Sequence, residues 1–305
     1  MMDVIILQSI TSGSLGTKIY EIQLSQSSQS TNHNNTFFLK NTQEGYYIGK
    51  STSKSCNFSL KLLDNEINIL KELNSDYIIK AIGLSENEQS KMLILESYVC
   101  DLSDFIAQNS TPLPSFSLID LRYMISDIAN ALEYLHSKKI SHNDIKPTNI
   151  LLDENCNLVL SDFGTASISD GSSSEQLNYI TSIMNKTYLA PEIIDQNEQK
   201  ILHFNPLKSD IFSFGLTIFQ LMFGGQLPYE SDQYRSYDKK FKLLHKNSNL
   251  FFASQEYEQY IQYWKQQKEF KYSLFIEFIQ NILNPDPLKR MTASQVLDHQ
   301  WLENF

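Results

Sequence analysis

The stretch that most restricts the fold of this 305-residue chain is residues 141–167, SHNDIKPTNILLDENCNLVLSDFGTAS. Two short apolar runs, Ile150–Leu152 and Leu158–Leu160, flank a polar stretch at 153–157, a pattern typical of a β-hairpin. A hairpin brings the outer ends of its two strands together. Those ends carry four charged or amide side chains, namely Asp144, Lys146, Asn149 and Asp162. The sequence therefore predicts two carboxylates, an amine and a carboxamide at one edge of a sheet.

The charge of the chain argues against a nucleic-acid partner. It has 35 acidic and 25 basic residues and a formal net charge of −10, and an acidic surface repels a phosphate backbone. A membrane protein is not expected either. The most apolar segment, 212–224, is shorter than the ~20 residues that a membrane helix needs, and residues 1–8 do not resemble a signal peptide.

The cysteines indicate the compartment. Cys56, Cys100 and Cys156 are few, odd in number and widely spaced, which favours reduced thiols over a disulfide framework. We therefore expect a soluble intracellular protein, located in the cytoplasm or the nucleus.

The periodicity of apolar residues divides the chain into two parts. The first hundred residues carry strand-like runs at 4–7, 18–24, 36–39, 46–48 and 92–95, interrupted by one helix over about 59–73. Beyond residue 98 the pattern is helical, and one helical face carries Leu118, Leu121, Ile125, Ile128, Leu132 and Leu135. This organisation predicts an α+β chain with a small β-rich domain at 1–97 and a larger α-helical domain at 98–305.

Five short motifs follow one another in a set order. They are His142-Asn143-Asp144 with Asn149, then Asp162-Phe163-Gly164, Ala190-Pro191-Glu192, Ser209-Asp210 and a final stretch that ends at Arg290. In order and spacing these resemble the catalytic loop, metal-binding triplet, activation-segment end, large-lobe helix and closing arginine of eukaryotic protein kinases. The resemblance extends from Ile10 to Leu302 and implies the two-lobed protein kinase fold.

The resemblance assigns a role to each member of the predicted cluster. Asp162 and Asn149 would hold Mg²⁺, a cation that prefers oxygen ligands. Asp144 would accept the hydrogen bond of a substrate hydroxyl, and Lys146 would meet the transferring phosphate. The cofactors implied are ATP and Mg²⁺.

A carboxylate in an apolar helical stripe supports the same interpretation. Glu66 shares a helix face with Leu63, Ile67 and Leu70, and a buried carboxylate is costly unless it is paired. The resemblance gives it the third-strand lysine as partner, which is Lys50. Lys40 ends a similar apolar run and is the alternative, as is a Glu66 that faces solvent.

The nucleotide-binding positions match the family less closely. Gly13 and Gly16 would cradle phosphates in a glycine-rich loop whose first glycine is replaced by Thr11. The backbone of Glu96 and Tyr98 would hydrogen-bond adenine. Ile48 stands where the family favours a small alanine, which predicts a narrower nucleotide pocket.

Two further departures concern regulation and substrate. Asn143 replaces the arginine that commonly binds an activation-segment phosphate, so control by that ion pair is not expected. Lys146-Pro147 is similar to serine/threonine kinases, whereas Asn185 stands where these enzymes usually have threonine.

The sequence therefore predicts a serine/threonine protein kinase that transfers the γ-phosphate of Mg-ATP to a protein substrate. The alternative is a pseudokinase, with the same fold acting as a binding or scaffold module, which Thr11, Ile48 and Asn185 favour. A kinase of small molecules is disfavoured by Ala190-Pro191-Glu192 and the long segment before it.

Overall fold

A computed structural model of the chain describes residues 2–12, 17–26, 35–38, 44–110, 112–168, 186–194, 205–230 and 238–303. The chain forms two compact units. The N-terminal unit comprises residues 1–99 together with 161–166, and the C-terminal unit comprises 100–160 together with 167–305. Within the described ranges, no helix has the length and apolar character to cross a membrane.

The N-terminal unit is built on one six-stranded antiparallel sheet. Its strands are β1 (Met2–Ser12), β2 (Thr17–Gln26), β3 (Asn35–Phe38), β4 (Gly45–Ser53), β5 (Ala81–Glu86) and β6 (Ser90–Leu95). Their order across the sheet is β1-β2-β4-β6-β5-β3. The strand predicted at 36–39 is therefore present as β3, but it lies at the edge beside β5 rather than next to its neighbours in sequence.

One face of this sheet carries the apolar core of the unit. Its buried members are Ile22, Leu24, Ile82, Met92 and Ile94. A Cβ at Gly49 on β4 would lie 2.7 Å from Met92 Sδ, so a larger residue there would have to displace the Met92 side chain. The thioether of Met92 fills that space, which suits the flexible, polarisable side chain of methionine.

The one helix of the described N-terminal unit is α1 (Asn57–Glu72), close to the predicted 59–73. Leu63, Glu66, Ile67 and Leu70 are all buried, so the predicted apolar stripe is confirmed and Glu66 lies within it. The helix ends where Leu73 adopts an extended conformation and its N–H bonds to the carbonyl of Leu70.

The C-terminal unit is mainly helical. Its described helices are α2 (Leu102–Asn109), α3 (Leu118–Ser137), α4 (Pro191–Ile194), α5 (Pro206–Met222), α6 (Lys239–Lys246), α7 (Ser248–Phe252), α8 (Glu258–Lys265), α9 (Tyr272–Ile282), α10 (Ala293–Leu297) and α11 (Gln300–Glu303). Short strands accompany them: β7 (Cys100–Asp101), β8 (Ile140–Ser141), β9 (Ile150–Leu152), β10 (Leu158–Leu160) and β11 (Ser167–Ile168). A β-sheet unit and a helical unit confirm the predicted two-lobed α+β fold class.

Helix α3 shows how the sequence directs local structure. It begins with a capping box, in which Ser117 Oγ accepts from the N–H of Asp120 and the Asp120 carboxylate accepts from the N–H of Ser117. All six leucine and isoleucine side chains of its predicted face are buried. Helix α5 is buried on almost every side.

The predicted hairpin is present. Strands β9 and β10 pair antiparallel, with Leu152 opposite Leu158 and Ile150 opposite Leu160. Strand β7 pairs with the outer side of β9 and completes a three-stranded sheet.

Aromatic side chains fill the core around α8. Tyr257, Tyr260 and Trp264 are buried, and the Tyr257 ring lies edge-on to Phe219 at 5.4 Å and to Phe223 at 5.3 Å. These residues therefore belong to the core of the C-terminal unit.

Candidate active site

An ion cluster occupies the N-terminal unit. Lys50 Nζ on β4 lies 2.7 Å from Glu66 Oε2 on α1 and 2.7 Å from Asp162 Oδ1. Glu66 Oε1 accepts a further hydrogen bond, of 3.2 Å, from the backbone N–H of Phe163. The structure thus places Lys50 against Glu66. Lys40 itself lies outside the described residues.

Burial and charge act in opposite directions in this cluster. Burial raises the pKa of the Glu66 carboxyl, the Lys50 ammonium opposes that change, and the neighbouring Asp162 adds to it by like charge. Burial alone would lower the pKa of Lys50, but the Asp162 and Glu66 carboxylates outweigh burial and raise it. Lys50 therefore stays protonated, and one ammonium faces two carboxylates.

The carboxylate of Asp162 is the accessible member. Its side chain is 42% exposed, against 1% for Glu66. The backbone of Asp162 is left-handed, with φ 62° and ψ 70°, and a 3₁₀ turn follows at Phe163–Thr165. A non-glycine residue in this conformation is uncommon and is found most often at functional sites.

A second cluster occupies the loop before β9 in the C-terminal unit. Lys146 Nζ lies 2.7 Å from Asp144 Oδ2. Asn149 Nδ2 donates to the carbonyl of Asp144 at 2.8 Å and to Asp144 Oδ2 at 2.9 Å. Asn149 closes the 3₁₀ turn Pro147–Asn149, in which Pro147 has the restricted φ that a helical start needs. The three side chains are therefore brought together by contacts within six residues.

A buried carboxylate on α5 holds this loop in place. The two oxygens of Asp210 accept from the N–H groups of His142 and Asn143, each at 2.8 Å. His136 Nε2 lies 3.1 Å from the same side chain. Asp210 thus makes the contacts with the loop backbone that the resemblance implies. Because Asn143 has a positive φ of 67°, these bonds also fix an uncommon backbone conformation.

Asn143 also anchors a second segment. Its Nδ2 donates to Ser167 Oγ at 2.9 Å, and that hydroxyl lies 2.9 Å from Ser141 Oγ. Strands β8 and β11 pair at the same place, with Ser141 opposite Ser167. Asn143 is therefore part of a neutral hydrogen-bonded group.

Glu192 and Arg290, which belong to two of the sequence motifs, form a buried ion pair. The two contacts, Arg290 Nη1 to Glu192 Oε1 and Nη2 to Oε2, are both 2.8 Å. Arg290 is 1% exposed. This bidentate geometry is the strong form of an arginine–carboxylate bond, and its place in the core makes it structural.

The structure describes only part of the expected nucleotide-binding set. Glu96 follows β6, its N–H donates to the carbonyl of Lys80 at 3.2 Å, and its carboxylate accepts from the hydroxyl of Tyr98 at 3.2 Å. Gly13 and Gly16, which would cradle the phosphates, lie outside the described residues, as does Asn185. Ile48 is half-buried on β4 opposite Leu95.

The division into units separates the side chains that the hairpin pattern groups. Asp162 belongs to the N-terminal unit, whereas Asp144, Lys146 and Asn149 belong to the C-terminal unit. That all four meet at one sheet edge stays a prediction.

One contact at the N-terminal cluster escapes sequence reasoning altogether. Asn65, next to Glu66, donates to the carbonyls of Gly164 and Ala166. An asparagine on a helix usually indicates a solvated face, so the position of Asn65 beside Glu66 does not by itself predict the contact.

The donor set suits Mg²⁺ only in part. No group of three or more His, Cys, Asp or Glu side chains in the described ranges could hold a metal ion. Mg²⁺, however, is commonly bound through one or two carboxylates together with substrate phosphates and water. The accessible carboxylate of Asp162 fits that mode of binding.

Comparison with known proteins identifies relatives. The family model described as protein kinase domain matches residues 34–302, so the segment containing Gly13 and Gly16 lies before the match. Mouse serine/threonine-protein kinase 33 is 29% identical over 258 residues, covering 82% of this chain and 47% of that protein.

Two further relatives have the same character. Mouse serine/threonine-protein kinase DCLK3 is 29% identical over 276 residues, covering 87% of this chain and 30% of that protein. The 3-phosphoinositide-dependent protein kinase B of Dictyostelium discoideum is 28% identical over 251 residues, covering 80% and 24%. The matched region spans less than half the length of each of these three relatives.

Proposed function

This chain belongs to the protein kinase domain family, and we propose that it transfers the γ-phosphate of Mg-ATP to serine or threonine hydroxyls of protein substrates. The observation that carries the proposal is the position of Lys50 Nζ, 2.7 Å from both Glu66 and Asp162. A protonated lysine beside an accessible carboxylate supplies charge for nucleotide phosphates and a ligand for their counter-ion. The serine/threonine-kinase names of two relatives support the class of substrate.

In the N-terminal unit, each member of the ion cluster has a separate role. Glu66 fixes the position of the Lys50 ammonium, which binds the phosphates of the nucleotide. Asp162 supplies a carboxylate oxygen to Mg²⁺. When bound, the metal neutralises charge on the phosphates and holds them in position for transfer.

In the C-terminal unit, Asp144 accepts the hydrogen bond of the substrate hydroxyl and orients it for attack. Lys146, 2.7 Å from that carboxylate, places a positive charge beside the transferring phosphate. Asn149 donates through Nδ2 to Asp144, which directs its Oδ1 away from that residue, as a metal ligand requires. These roles follow from the chemistry of the side chains and from the family resemblance.

The adenine is assigned to the segment after β6. The N–H of Glu96 already donates to Lys80, so the group of Glu96 suited to the amino group of adenine is its carbonyl. The backbone of Tyr98 supplies the second contact, and Gly13 and Gly16 hold the phosphates.

Three further expectations stay predictions. They are the absence of nucleic-acid and membrane partners, the intracellular location and the domain boundary at 97/98.

A pseudokinase remains the second candidate. Three departures favour it, namely Thr11 in the glycine-rich loop, Ile48 in place of a small residue and Asn185 before the Ala190-Pro191-Glu192 motif. Such a protein would use the same fold to bind a nucleotide or a partner without transferring phosphate.

Phosphate transfer from radiolabelled ATP to a mixture of generic protein substrates, with and without Mg²⁺, separates the two candidates. We expect Mg²⁺-dependent labelling of serine and threonine that Asp144→Asn removes. Nucleotide binding by the wild type without labelling of any substrate would establish the pseudokinase. A wild type that neither labels substrate nor binds nucleotide would overturn both.

A further inference from the structure

The side chain of Asn65 lies on α1, one residue before Glu66, and donates to a short stretch of backbone in the same unit. Its Nδ2 lies 2.8 Å from the carbonyl oxygen of Ala166 and 3.0 Å from that of Gly164. The carbonyl oxygen of Phe163 is 3.4 Å away. A carboxamide has two N–H hydrogens, so the two shorter contacts use both and the third can only be shared.

These carbonyls belong to the turn that follows Asp162. The N–H of Ala166 bonds to the carbonyl of Phe163 at 3.1 Å and closes the 3₁₀ turn. The last carbonyls of any helical turn have no partner within the turn itself. Asn65 supplies donors to two of them, which makes it the equivalent of a helix cap provided from another helix.

Asn65 and Glu66 contact the turn with opposite polarity. Glu66 Oε1 accepts from the N–H of Phe163 at 3.2 Å, whereas Asn65 donates to the carbonyls that follow. The turn also lies close to α1, since a Cβ at Gly164 would be 3.5 Å from Leu62 Cβ and 3.5 Å from Asp162 Oδ1. Two consecutive residues of α1 thus hold both the N–H and the C=O side of the turn.

The residue that this arrangement fixes is Asp162. Its left-handed backbone, with φ 62°, is sparsely populated by non-glycine residues and persists only where the surroundings determine it. The hydrogen bonds from α1 begin at the next residue, Phe163. We propose that Asn65 is a positioning residue, which locks residues 163–166 to α1 and so fixes the direction of the Asp162 carboxylate toward the metal–nucleotide complex.

The inference rests on the proposed function, because it assumes that Asp162 binds Mg²⁺ with the nucleotide. Without the donors of Asn65 the turn loosens, and the carboxylate occupies its binding orientation for a smaller fraction of the time. Mg²⁺-dependent nucleotide binding and transfer should then weaken together. The KM for a peptide substrate should stay within about twofold of the wild type, because the described contacts of Asn65 lie in the N-terminal unit and Asp144 belongs to the C-terminal unit.

The test compares two asparagines of the same helix. Asn65→Leu and Asn65→Asp keep the size of the side chain and remove its N–H donors. Asn68→Leu and Asn68→Asp are the matched controls, since Asn68 is exposed one turn further along α1. Two quantities are measured on the whole chain: the Mg²⁺ concentration for half-maximal binding of a fluorescent ATP analogue, and the hydrogen exchange of a peptide covering 161–168.

We expect Asn65→Leu to raise the half-maximal Mg²⁺ concentration about tenfold, equivalent to about 1.4 kcal/mol, and to speed exchange of the 163–166 amides. The Asn68 variants should stay within about twofold of the wild type in both measurements. Equal Mg²⁺ dependence and equal exchange in Asn65→Leu and Asn68→Leu would overturn the proposal.

The outcomes for the proposed function and for the inference differ. A wild type that binds no Mg-nucleotide refutes the metal-binding role of Asp162 and with it this inference, even if exchange shows that Asn65 holds the turn. If Asn65→Leu does not fold, as judged by its melting transition, the same two measurements on Asn65→Asp decide the proposal.

Discussion

The ion cluster of the N-terminal unit and the loop cluster of the C-terminal unit hold their carboxylates by different means. Lys50 contacts residues 16 and 112 positions away in sequence. The contacts of Asp144 come from residues two and five positions away. The first cluster therefore exists only while β4, α1 and the turn after β10 are assembled. The second is formed within its own loop and needs only an anchor.

The difference in burial has an energetic consequence. Glu66 is 0% exposed, whereas the side chains of Asp144 and Lys146 are 14% and 23% exposed. Removing one partner of a buried ion pair leaves an uncompensated charge, which is strongly destabilising. A movement of α1 away from β4 would therefore break the first cluster at a high energetic cost, whereas the contacts of the second cluster lie within its own loop.

The comparison predicts a clear separation of effects for the two carboxylates. Asp144→Asn should reduce phosphate transfer about 10³-fold, within the range that a positioned acid–base group contributes. Asp162→Asn should reduce it by about the same factor, because it removes electrostatic stabilisation of the phosphates. Only Asp162→Asn should also abolish most of the rise in melting temperature that Mg-ATP produces, because we assign Asp144 to the acceptor hydroxyl and Asp162 to the metal. The measurements are transfer of labelled phosphate and a thermal-shift assay.

Asp153, half-buried in the β9–β10 turn, provides the control. It contacts Asn155 and Asn157 in its own turn, so Asp153→Asn should leave transfer within about twofold of the wild type. Equal loss of Mg-ATP binding in Asp144→Asn and Asp162→Asn would show that the two clusters do not have separate roles.

The second prediction concerns the cost of breaking the buried pair. Lys50→Met should abolish transfer and lower the free energy of unfolding by about 3–5 kcal/mol, because Glu66 is left buried without a cation. Adding Glu66→Gln should recover much of that stability without restoring transfer. Urea unfolding of the wild type, both single variants and the double variant measures the coupling.

Two lysines serve as controls for this prediction. Lys54 pairs with Glu86 at 2.7 Å, but the side chains are 33% and 41% exposed, so Lys54→Met should cost less than about 1 kcal/mol. Lys40→Met should be nearly silent in transfer. Loss of transfer in Lys40→Met with retention in Lys50→Met would show that the phosphate-binding lysine is misassigned.

The same contrast explains which parts of the molecule the sequence could predict. Local sequence patterns predict the elements that depend on residues close in sequence, namely the hairpin β9–β10, the capped helix α3 and the Asp144 loop. The Lys50–Glu66 pair could be predicted because a carboxylate in an apolar stripe requires a partner. The family resemblance then indicates which lysine that partner is. Neither argument needs the order of strands in the sheet.

The remaining features depend on contacts distant in sequence. Strand β5 was not predicted, since Ala81–Glu86 contains Gly83 at an irregularity in its pairing with β6. Strand β1 extends over Met2–Ser12 rather than 4–7 because it pairs with β2 along almost its whole length. The role of Asn65 has no local pattern at all, because the carbonyls that it contacts are about 100 residues away in sequence.

The third prediction tests how the stability of the C-terminal unit depends on pH. The C-terminal unit carries His245 on α6, with its ring 4.9 Å from Phe241. Burial lowers the pKa of His245 to about 4, and a hydrogen bond to the backbone of Leu283 opposes that change only partly. The folded state thus binds fewer protons than the unfolded state, whose histidine pKa is about 6.5.

Stability from His245 is therefore present above about pH 6.5 and is lost as the pH falls toward 4. Between pH 7 and pH 5 the loss should be about 2 kcal/mol. His245→Gln should remove this part of the pH dependence, as measured by urea unfolding at both values. Burial also lowers the pKa of His299, so His299→Gln should change the pH dependence in the same direction. An unchanged pH dependence in His245→Gln would contradict the assignment.

The smallest expected effect concerns phosphorylation, which we expect the loop cluster not to need. In the loop cluster, the position next to Asp144 is Asn143, whose neutral carboxamide donates to Ser167 Oγ at 2.9 Å. An arginine at this place would bind an activation-segment phosphate, and a hydrogen bond to a charged group contributes about 1.5–3 kcal/mol. Asn143 has no charge to offer, so a phosphate lacks the partner that would order the segment. The group Asn143–Ser167–Ser141 instead ties β11 to β8 without any modification.

Activity should consequently not require phosphorylation between Asp162 and Glu192. Treatment with phosphatase should change the rate of transfer by less than about twofold, since the charge-assisted contact that would amplify the effect is absent. Thr187→Ala, and the same change at Thr181 and Ser182, which lie outside the described residues, should each be equally silent. A rate that falls tenfold or more after phosphatase, and returns when one of these residues is rephosphorylated, would show that another cation replaces the arginine. Phosphorylation would then control the activity through the C-terminal unit. The loop cluster could no longer be described as one that is formed without any modification.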